Sequence, residues 1–382
     1  MKIIAFYLPQ FHAIPENDEW WGKGFTEWVN MKKAKPLFEG HYQPRIPQNS
    51  NYYNLLDNTV KENQVKLAKE NGIYGFCFYH YWFDGHMLLE KPVEQYLEDE
   101  KCDLPFCMCW ANEAWTNQWV SAESKVLIEQ KYGTEKEWKE HYLYLRKFFL
   151  DSRYIKENNK PFVVIYRPEL IECRNEMLRY WDELAKADGF NGLEYAFQAK
   201  NYDRIRDKSD KTFKYAIEYQ PFYAFHDLKE QESSAVKNKL RDIKFGIELF
   251  AEKKLGITKS SKHSGDQNEP LKFDYDAVWH KIINRNPPNE MYIPGAFVDW
   301  DNTPRKGVRG SVMTGASPEK FESYMEKQII RARDVYHKDM LFIFAWNEWA
   351  EGGYLEPDEF YGDAYLKAIK KALEKTGEFP VY

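Results

Sequence analysis

The residues best suited to chemistry lie near the C-terminus, in the run Phe342-Ile-Phe-Ala-Trp-Asn-Glu-Trp-Ala-Glu-Gly-Gly-Tyr-Leu-Glu-Pro357. An apolar stretch ends there in two carboxylates, Glu348 and Glu351, set among tryptophans and glycines. A lone glutamate in such a place caps a turn or pairs with an arginine. Here two of them flank Trp349 immediately before Gly352-Gly353. If residues 348–351 make one turn, both side chains face one pocket with Cβ atoms about 5–6 Å apart. That is near the roughly 5–5.5 Å carboxyl separation of retaining glycosidases and short of the inverting geometry. Desolvation by tryptophan raises the pKa of one carboxyl, and a neighbouring carboxylate raises it further. One acid and one base at neutral pH is the expected result.

Such a pair needs a scaffold that gathers strand ends. Eight continuous apolar runs recur along the chain: Ile3–Leu8, Gly75–Tyr79, Pro105–Cys109, Phe162–Tyr166, Glu194–Phe197, Tyr215–Glu218, Tyr292–Val298 and Leu341–Ala345. Continuous rather than alternating runs fit parallel strands covered on both faces. Helical patterns separate them. Residues Asn51–Asn71 read as a helix stopped by Gly72, Thr134-x-x-Glu137 as a capping box, and Ser317-Pro318 as an N-cap followed by proline. The last helix, Asp363–Thr376, ends before Gly377. Eight strand–helix alternations predict an α/β fold, a closed (β/α)8 barrel. An open doubly wound sheet also alternates, but no Gly-x-Gly-x-x-Gly follows the first strand. Residues 225–289 exceed a barrel crossover and predict an insertion, with a helical part at Ser234–Leu255 and a polar run at Thr258–Pro270. The whole of 1–382 reads as one domain carrying that insertion.

In such barrels the active site lies beyond the C-terminal ends of the strands. Polar and aromatic residues gather there after every run. Tyr7 ends the first, followed by Gln10 and His12. The second leads to His80, Tyr81, Trp82 and Asp84, and the third to Trp110, Asn112, Glu113 and Trp115. Tyr166 and Arg167, then Gln198, then Tyr219 and Gln220 follow the next three. The seventh is followed by Asp299, Asp301 and Arg305, the eighth by Trp346, Asn347 and Trp349. Around a catalytic Glu348 and Glu351 the expected substrate-binding residues among them are Tyr7, His12, His80, Tyr81, Trp82, Trp110, Asn112, Glu113, Trp115, Tyr166, Gln220, Asp299, Arg305, Trp346, Asn347 and Trp349. Glu113 reads either as a third catalytic carboxylate or as an acceptor for sugar hydroxyls, with the second reading favoured. His80 reads as a donor to a substrate hydroxyl or as a core histidine. No His-x-x-x-His spacing joins His12, His80, His86 and Asp84, so neither a metal nor a cofactor is expected.

Composition narrows the partners. The net charge is −6, and no Lys/Arg stripe alternates with stacking aromatics, which argues against nucleic acid. No stretch of about 18 apolar residues could span a bilayer. Aromatic content is high, at 17% with 13 Trp and 27 Tyr, and flat rings both fill cores and pack on the C–H faces of sugars. The apolar start is broken by Pro9 and Gln10, unlike an export signal. The five cysteines include a Cys107-x-Cys109 pair with no second pair or nearby histidine, so reduced thiols in a cytoplasmic protein are expected rather than zinc.

Several long motifs carry a family resemblance: Ala5–His12, Pro15–Trp28, Gly40-His-Tyr-Gln-Pro44, Phe78–Phe83, Trp110–Trp115 and Trp346–Gly352. Together they resemble the WbsX family over nearly the whole chain. Those proteins are often labelled polysaccharide-biosynthesis glycosyltransferases, yet are similar to glycoside hydrolase family 99, (β/α)8 endo-acting α-mannosidases and α-mannanases. The hydrolase motif Asn-Glu-Trp-x-Glu-Gly falls on Asn347, Glu348, Trp349, Glu351 and Gly352, with Ala350 where the hydrolases commonly carry histidine. The resemblance implies that Glu348 is a base toward the sugar 2-hydroxyl and Glu351 the acid, then base, at the glycosidic oxygen. Retention would then pass through a 1,2-anhydro sugar. In an α-manno sugar O2 and the leaving group lie anti, and an α-L-rhamnoside shares this relation. The leading expectation is therefore a glycoside hydrolase acting on an oligosaccharide or polysaccharide. A cytoplasmic glycosyltransferase or transglycosylase of lipopolysaccharide (O-antigen) or capsular assembly is the alternative, and a non-catalytic glycan-binding barrel the third.

Overall fold

The computed structural model describes residues 1–116, 126–200, 210–231, 241, 244–250, 252 and 268–382. Nine parallel segments form the central sheet: β1 (Lys2–Tyr7), β2 (Ile73–Phe83), β3 (Phe106–Trp110), β4 (Lys160–Ile165), β5 (Glu194–Ala199), β6 (Tyr215–Glu218), β7 (Tyr292–Ile293), β8 (Gly295–Phe297) and β9 (Met340–Phe344). Their order is β7-β6-β5-β4-β3-β2-β1-β9-β8. Only Pro294 separates β7 from β8. They are two halves of one strand, the first paired with β6 and the second with β9. Proline has no N–H to continue a ladder, so the strand changes partner there. Gly295 permits the crossing, because a Cβ at that position would lie 1.7 Å from the Glu218 carbonyl oxygen. The sheet thus curls until its ends meet in one strand, giving the expected (β/α)8 barrel with all eight apolar runs as its staves.

Helices α1 (Pro15–Trp21) and α2 (Glu27–Lys33) lie in the long β1 loop, and α3 (Asn58–Glu70) completes that crossover. Around the outside follow α4 (Lys91–Glu98), α5 (Glu135–Phe149), α6 (Arg174–Ala187), α7 (Phe222–Gln231), α8 (Tyr275–Asn284), the short α9 (Thr303–Lys306), α10 (Pro318–Asp334) and α11 (Ala364–Thr376). The capping box at Thr134/Glu137 and the Ser317 cap are present, and Gly72 and Gly377 take positive φ after their helices. The α3 helix starts seven residues later than the apolar pattern suggests. Asp57, whose carboxylate accepts from the Thr59 N–H at 2.9 Å, sets its first turn.

The stretch read as a 225–289 insertion is in part barrel wall. Helix α8 lays Tyr275 and Trp279 on Phe297 of β8, with the Trp279 ring stacked at 5.2 Å. Just before it, Leu271–Asp274 pairs in parallel with Ser311–Thr314. The helical part expected at Ser234–Leu255 and the polar run at Thr258–Pro270 fall largely outside the described residues. All five cysteines are free thiols. Among the described residues no helix is long and apolar enough to cross a membrane.

Candidate active site

Arg305, in α9, organises the barrel mouth. Its Nη1 donates to Glu351 at 2.8 Å, and its Nη2 donates to Glu348 at 2.9 Å and lies 3.1 Å from Glu27 at the start of α2. Nε adds a 3.2 Å bond to Glu27. One planar guanidinium therefore holds three carboxylates with fixed fork geometry. All four side chains are about nine-tenths buried, at 7–11% exposure.

The turn carrying the glutamates is tied on every side. Asn347, fully buried, accepts from Leu8 N–H at 2.7 Å and donates to Leu8 C=O at 3.0 Å, joining the end of β9 to the end of β1. Asn347–Glu348 then pairs antiparallel with Gly353–Tyr354. Trp349 stacks on Tyr354 at 3.8 Å and donates to buried Glu356 at 2.7 Å. Glu356 also accepts from Tyr53 at 2.7 Å and from Gln64 at 2.6 Å. Gly352 is left-handed (φ 72°), and a Cβ there would approach the Asp301 nitrogen to 2.8 Å. That same Asp301 N–H donates to the Glu351 carbonyl at 2.7 Å. Asp301 is pinned in turn by His41 (2.9 Å), Gln43 (2.7 Å) and the Thr303 hydroxyl (2.6 Å), while Asp299 accepts from Arg45 at 2.7 Å.

Charges in this setting are displaced from their usual equilibria. Burial raises the pKa of Glu348 well above the carboxylate range; Arg305 opposes the shift, and Glu351 and Glu27 add to it. Burial also raises Asp299, against the pull of Arg45. Burial outweighs the hydrogen bonds it accepts to push Glu356 up to about 7.

Around this centre stands an aromatic wall. Tyr81 accepts from Gln10 at 2.8 Å and feels the charges of Glu348, Arg305 and Glu27. Trp115 packs edge-on against Tyr81 at 5.3 Å and Trp20 against Trp115 at 5.8 Å. On the other side Tyr79 donates to Tyr219 at 3.2 Å, and Tyr166 meets both rings edge-on. Glu113 is joined to Arg167 at 2.5 Å, and the same arginine contacts Glu169 and, at 3.3 Å, Glu252. Among the described residues no group of three or more His, Cys, Asp and Glu side chains is placed to hold a metal ion.

Of the residues expected at the mouth, Tyr81, Glu113, Trp115, Tyr166 and Arg305 join Glu348 and Glu351 there. The others point elsewhere. Strand β2 runs on to Phe83 instead of stopping at Tyr79, so consecutive side chains alternate. Tyr79 and Tyr81 face in. His80 and Trp82 face the helices, where His80 meets His141 at 2.9 Å and Trp82 stacks on His141 at 4.5 Å. Burial lowers His80 to about 3, as suits the core histidine. Trp110 lies in that same cage, donating to the Trp82 carbonyl at 3.2 Å. Tyr7 turns toward α3 and donates to Gln64 at 2.6 Å. Trp346 packs on Phe76 at 5.1 Å. Asn112 brackets the Arg167 backbone with bonds of 2.8 Å to its N–H and C=O, and Gln220 accepts from Ala224 N–H at 3.1 Å. Asn347, Trp349 and Asp299 serve the turn as described. His12 is buried with neither ring nitrogen in a hydrogen bond of normal geometry, and burial lowers it to about 4.

Glu27, Tyr79, Lys200 and Tyr219 belong to the mouth without having been singled out as site residues. Glu27 lies in the Pro15–Trp28 motif, so its signal was the motif itself. Inward-facing Tyr79 was findable by counting alternate residues back from Tyr81.

The model of the family described as Glycosyltransferase WbsX matches residues 3–369. The chain belongs to the WbsX family. Two curated relatives, each named "Uncharacterized protein WxcX" and from strains B100 and ATCC 33913 of Xanthomonas campestris pv. campestris, are 34% identical over 98% of this chain. The chain spans about half the length of these relatives, 50% of each. Among solved structures, the GH99 endo-alpha-mannosidase from Bacteroides thetaiotaomicron is 12% identical with a TM-score of 0.52, covering 98% of this chain and 97% of that one. A "Glycoside hydrolase-like protein" gives a TM-score of 0.55 at 12% identity, over 100% and 94% of the two chains. These likenesses establish the barrel fold of this WbsX chain.

Proposed function

We propose that the chain is a retaining glycoside hydrolase acting on an α-manno-configured bond, a mannoside or rhamnoside, within an oligosaccharide or polysaccharide. One observation carries the reading: Glu348 and Glu351 sit side by side on a single guanidinium at the C-terminal mouth of the barrel. In the first step the Glu348 carboxylate removes the proton of the sugar 2-hydroxyl. O2 attacks C1 from the face opposite the leaving group, the C1–O bond breaks, and the Glu351 carboxylic acid protonates the departing oxygen. In the second step Glu351 takes a proton from water, water oxygen attacks C1, and the C1–O2 bond opens as O2 regains its proton from Glu348. Two inversions give retention. The raised proton affinity of Glu348 suits a base that must act on an alcohol. The walls of Tyr81, Trp115, Tyr166 and Tyr219 supply faces for sugar rings.

A second reading, a glycosyltransferase of lipopolysaccharide or capsular polysaccharide assembly in the cytoplasm, is favoured by the family's description as a glycosyltransferase. Both are tested by incubating the chain with α-mannan, rhamnan and O-antigen-like oligosaccharides, with and without nucleotide-sugars, and reading products by mass spectrometry. The hydrolase reading expects fragments without nucleotide and none from Glu351→Gln, which still binds glycan. Products that lengthen only when a nucleotide-sugar is supplied would move the chain to the transferase reading.

A further inference from the structure

Among the described residues, three arginines around the mouth are each paired with carboxylates, and Lys200 is not. Arg305 contacts three carboxylates, Arg167 three, and Arg45 two. Lys200, just past β5, contacts none within ion-pair distance among the described residues. Its Nζ is held 4.8 Å from the Phe222 ring centre and 5.7 Å from that of Tyr166, with one long hydrogen bond of 3.4 Å to the Tyr166 hydroxyl. The two carboxylates whose charge it feels most are engaged already, Glu351 by Arg305 and Glu113 by Arg167. A half-buried ammonium that has given up part of its water without gaining a counter-ion carries a desolvation cost that ring faces offset only in part. Burial accordingly lowers its pKa. A site that tolerates such a cost beside its acid/base pair is arranged for an anion that arrives with the ligand.

We propose that Lys200 makes the subsite next to Glu351 selective for a glycan residue bearing an anionic substituent, a carboxylate or a phosphate, at or beside the cleaved bond. This rests on the glycosidase reading and deepens it. Tyr79, Tyr166 and Tyr219 would take the ring face while the ammonium takes the anion through a charge-assisted hydrogen bond.

The test is calorimetric binding to the Glu351→Gln chain, where turnover is absent. One matched pair comprises a uronate-containing α-linked oligosaccharide and its carboxyl-reduced form; the other comprises a phosphorylated oligosaccharide and its dephosphorylated form. One anionic member is expected to bind roughly 10–100-fold tighter than its neutral partner, the range of a charge-assisted hydrogen bond. Whichever pair shows the preference identifies the substituent. Adding Lys200→Met should abolish the preference and adding Lys200→Arg should retain it, with unfolding midpoints confirming that both variants fold. Equal binding within both pairs, or a preference that survives Lys200→Met, overturns the proposal. Cleavage of the anionic and the neutral member of each pair at equal rates, by the wild-type chain and by Lys200→Met alike, would remove the subsite and leave the glycosidase standing. Binding of no glycan, charged or neutral, would remove both.

Discussion

Replacing Arg305 by methionine keeps the length of the side chain and removes the charge that three carboxylates share. Arg305 makes contacts of 2.8, 2.9 and 3.1 Å with Glu351, Glu348 and Glu27. Removing one partner from a buried ionic cluster costs about 3–5 kcal/mol, because the remaining charges are left in a poor solvent. The carboxyls can escape part of that cost by binding protons. Glu348 already has its proton affinity raised by burial, with Arg305 the main restraint, so losing the arginine raises it further. Between the unfolded and folded pKa values of such a group the native state holds more protons than the unfolded one. Stability then falls as pH rises, by up to about 1.4 kcal/mol per pH unit for each extra proton. Arg305→Met should therefore be the less stable chain by about 3–5 kcal/mol at pH 8. At pH 5, where Glu348 accepts a proton more readily, the deficit should shrink by about 2 kcal/mol or more. Urea unfolding at the two pH values, read by tryptophan fluorescence, measures both numbers. A deficit that is the same at pH 5 and pH 8 would refute the claim that the arginine works by neutralising buried carboxylates. A deficit near zero at both would refute the clamp itself.

Two further outcomes follow from the supports of the turn. Asn347→Leu leaves the Leu8 N–H and C=O without their amide partner, each costing about 1–3 kcal/mol if it stays buried, so the unfolding midpoint should drop sharply; an unchanged midpoint would show that water replaces the amide. Glu356, raised to about 7, contributes a stability that is fully present below the ordinary glutamate value and is lost as pH rises through about 7. Glu356→Gln should flatten the stability profile across that window, and a profile identical to the wild type would remove Glu356 as its source.

The barrel was legible because parallel strands buried on both faces are written as unbroken apolar runs. All eight runs became staves, most shifted by one or two residues. The exceptions are instructive. Tyr292–Val298 reads as one strand, yet the need to close the sheet divides it at Pro294. The run Gly75–Tyr79 was ended where polar residues appear, although β2 continues to Phe83 through a polar-aromatic stretch in the outer helical layer. That error put His80, Tyr81 and Trp82 together at the mouth, when alternation admits only Tyr81. Tyr7 erred in the same way, since Phe6 faces inward to stack on Tyr79 at 5.6 Å. Glu348 and Glu351 were visible because they are close in sequence. Their partners were not: Glu27 lies more than three hundred residues away, and nothing local to Arg305 names its contacts.

The quoted motifs thus divide by what they do. Glu27, Tyr81, Glu113, Trp115, Glu348 and Glu351 are aimed into the mouth, so changing them should alter chemistry or binding before it alters folding. His41, Gln43, Asn347, Trp349 and Gly352 bind to backbone or to one another beneath it, so changing them should alter folding first. Both kinds stand side by side in Asn347-Glu-Trp-Ala-Glu-Gly352, and the reason is geometric. In the proposed reaction, a base and an acid acting on adjacent atoms of one sugar must keep their spacing to within about 0.5 Å. A loop of free backbone cannot do that. The chain instead interleaves each acid with a residue that fastens the same turn, to Leu8 through Asn347, to Glu356 through Trp349, and to the Asp301 backbone at Glu351 itself. The long aromatic motif is therefore one mechanical unit. Its acids would lose their geometry if the fastening residues changed, even with both carboxylates intact.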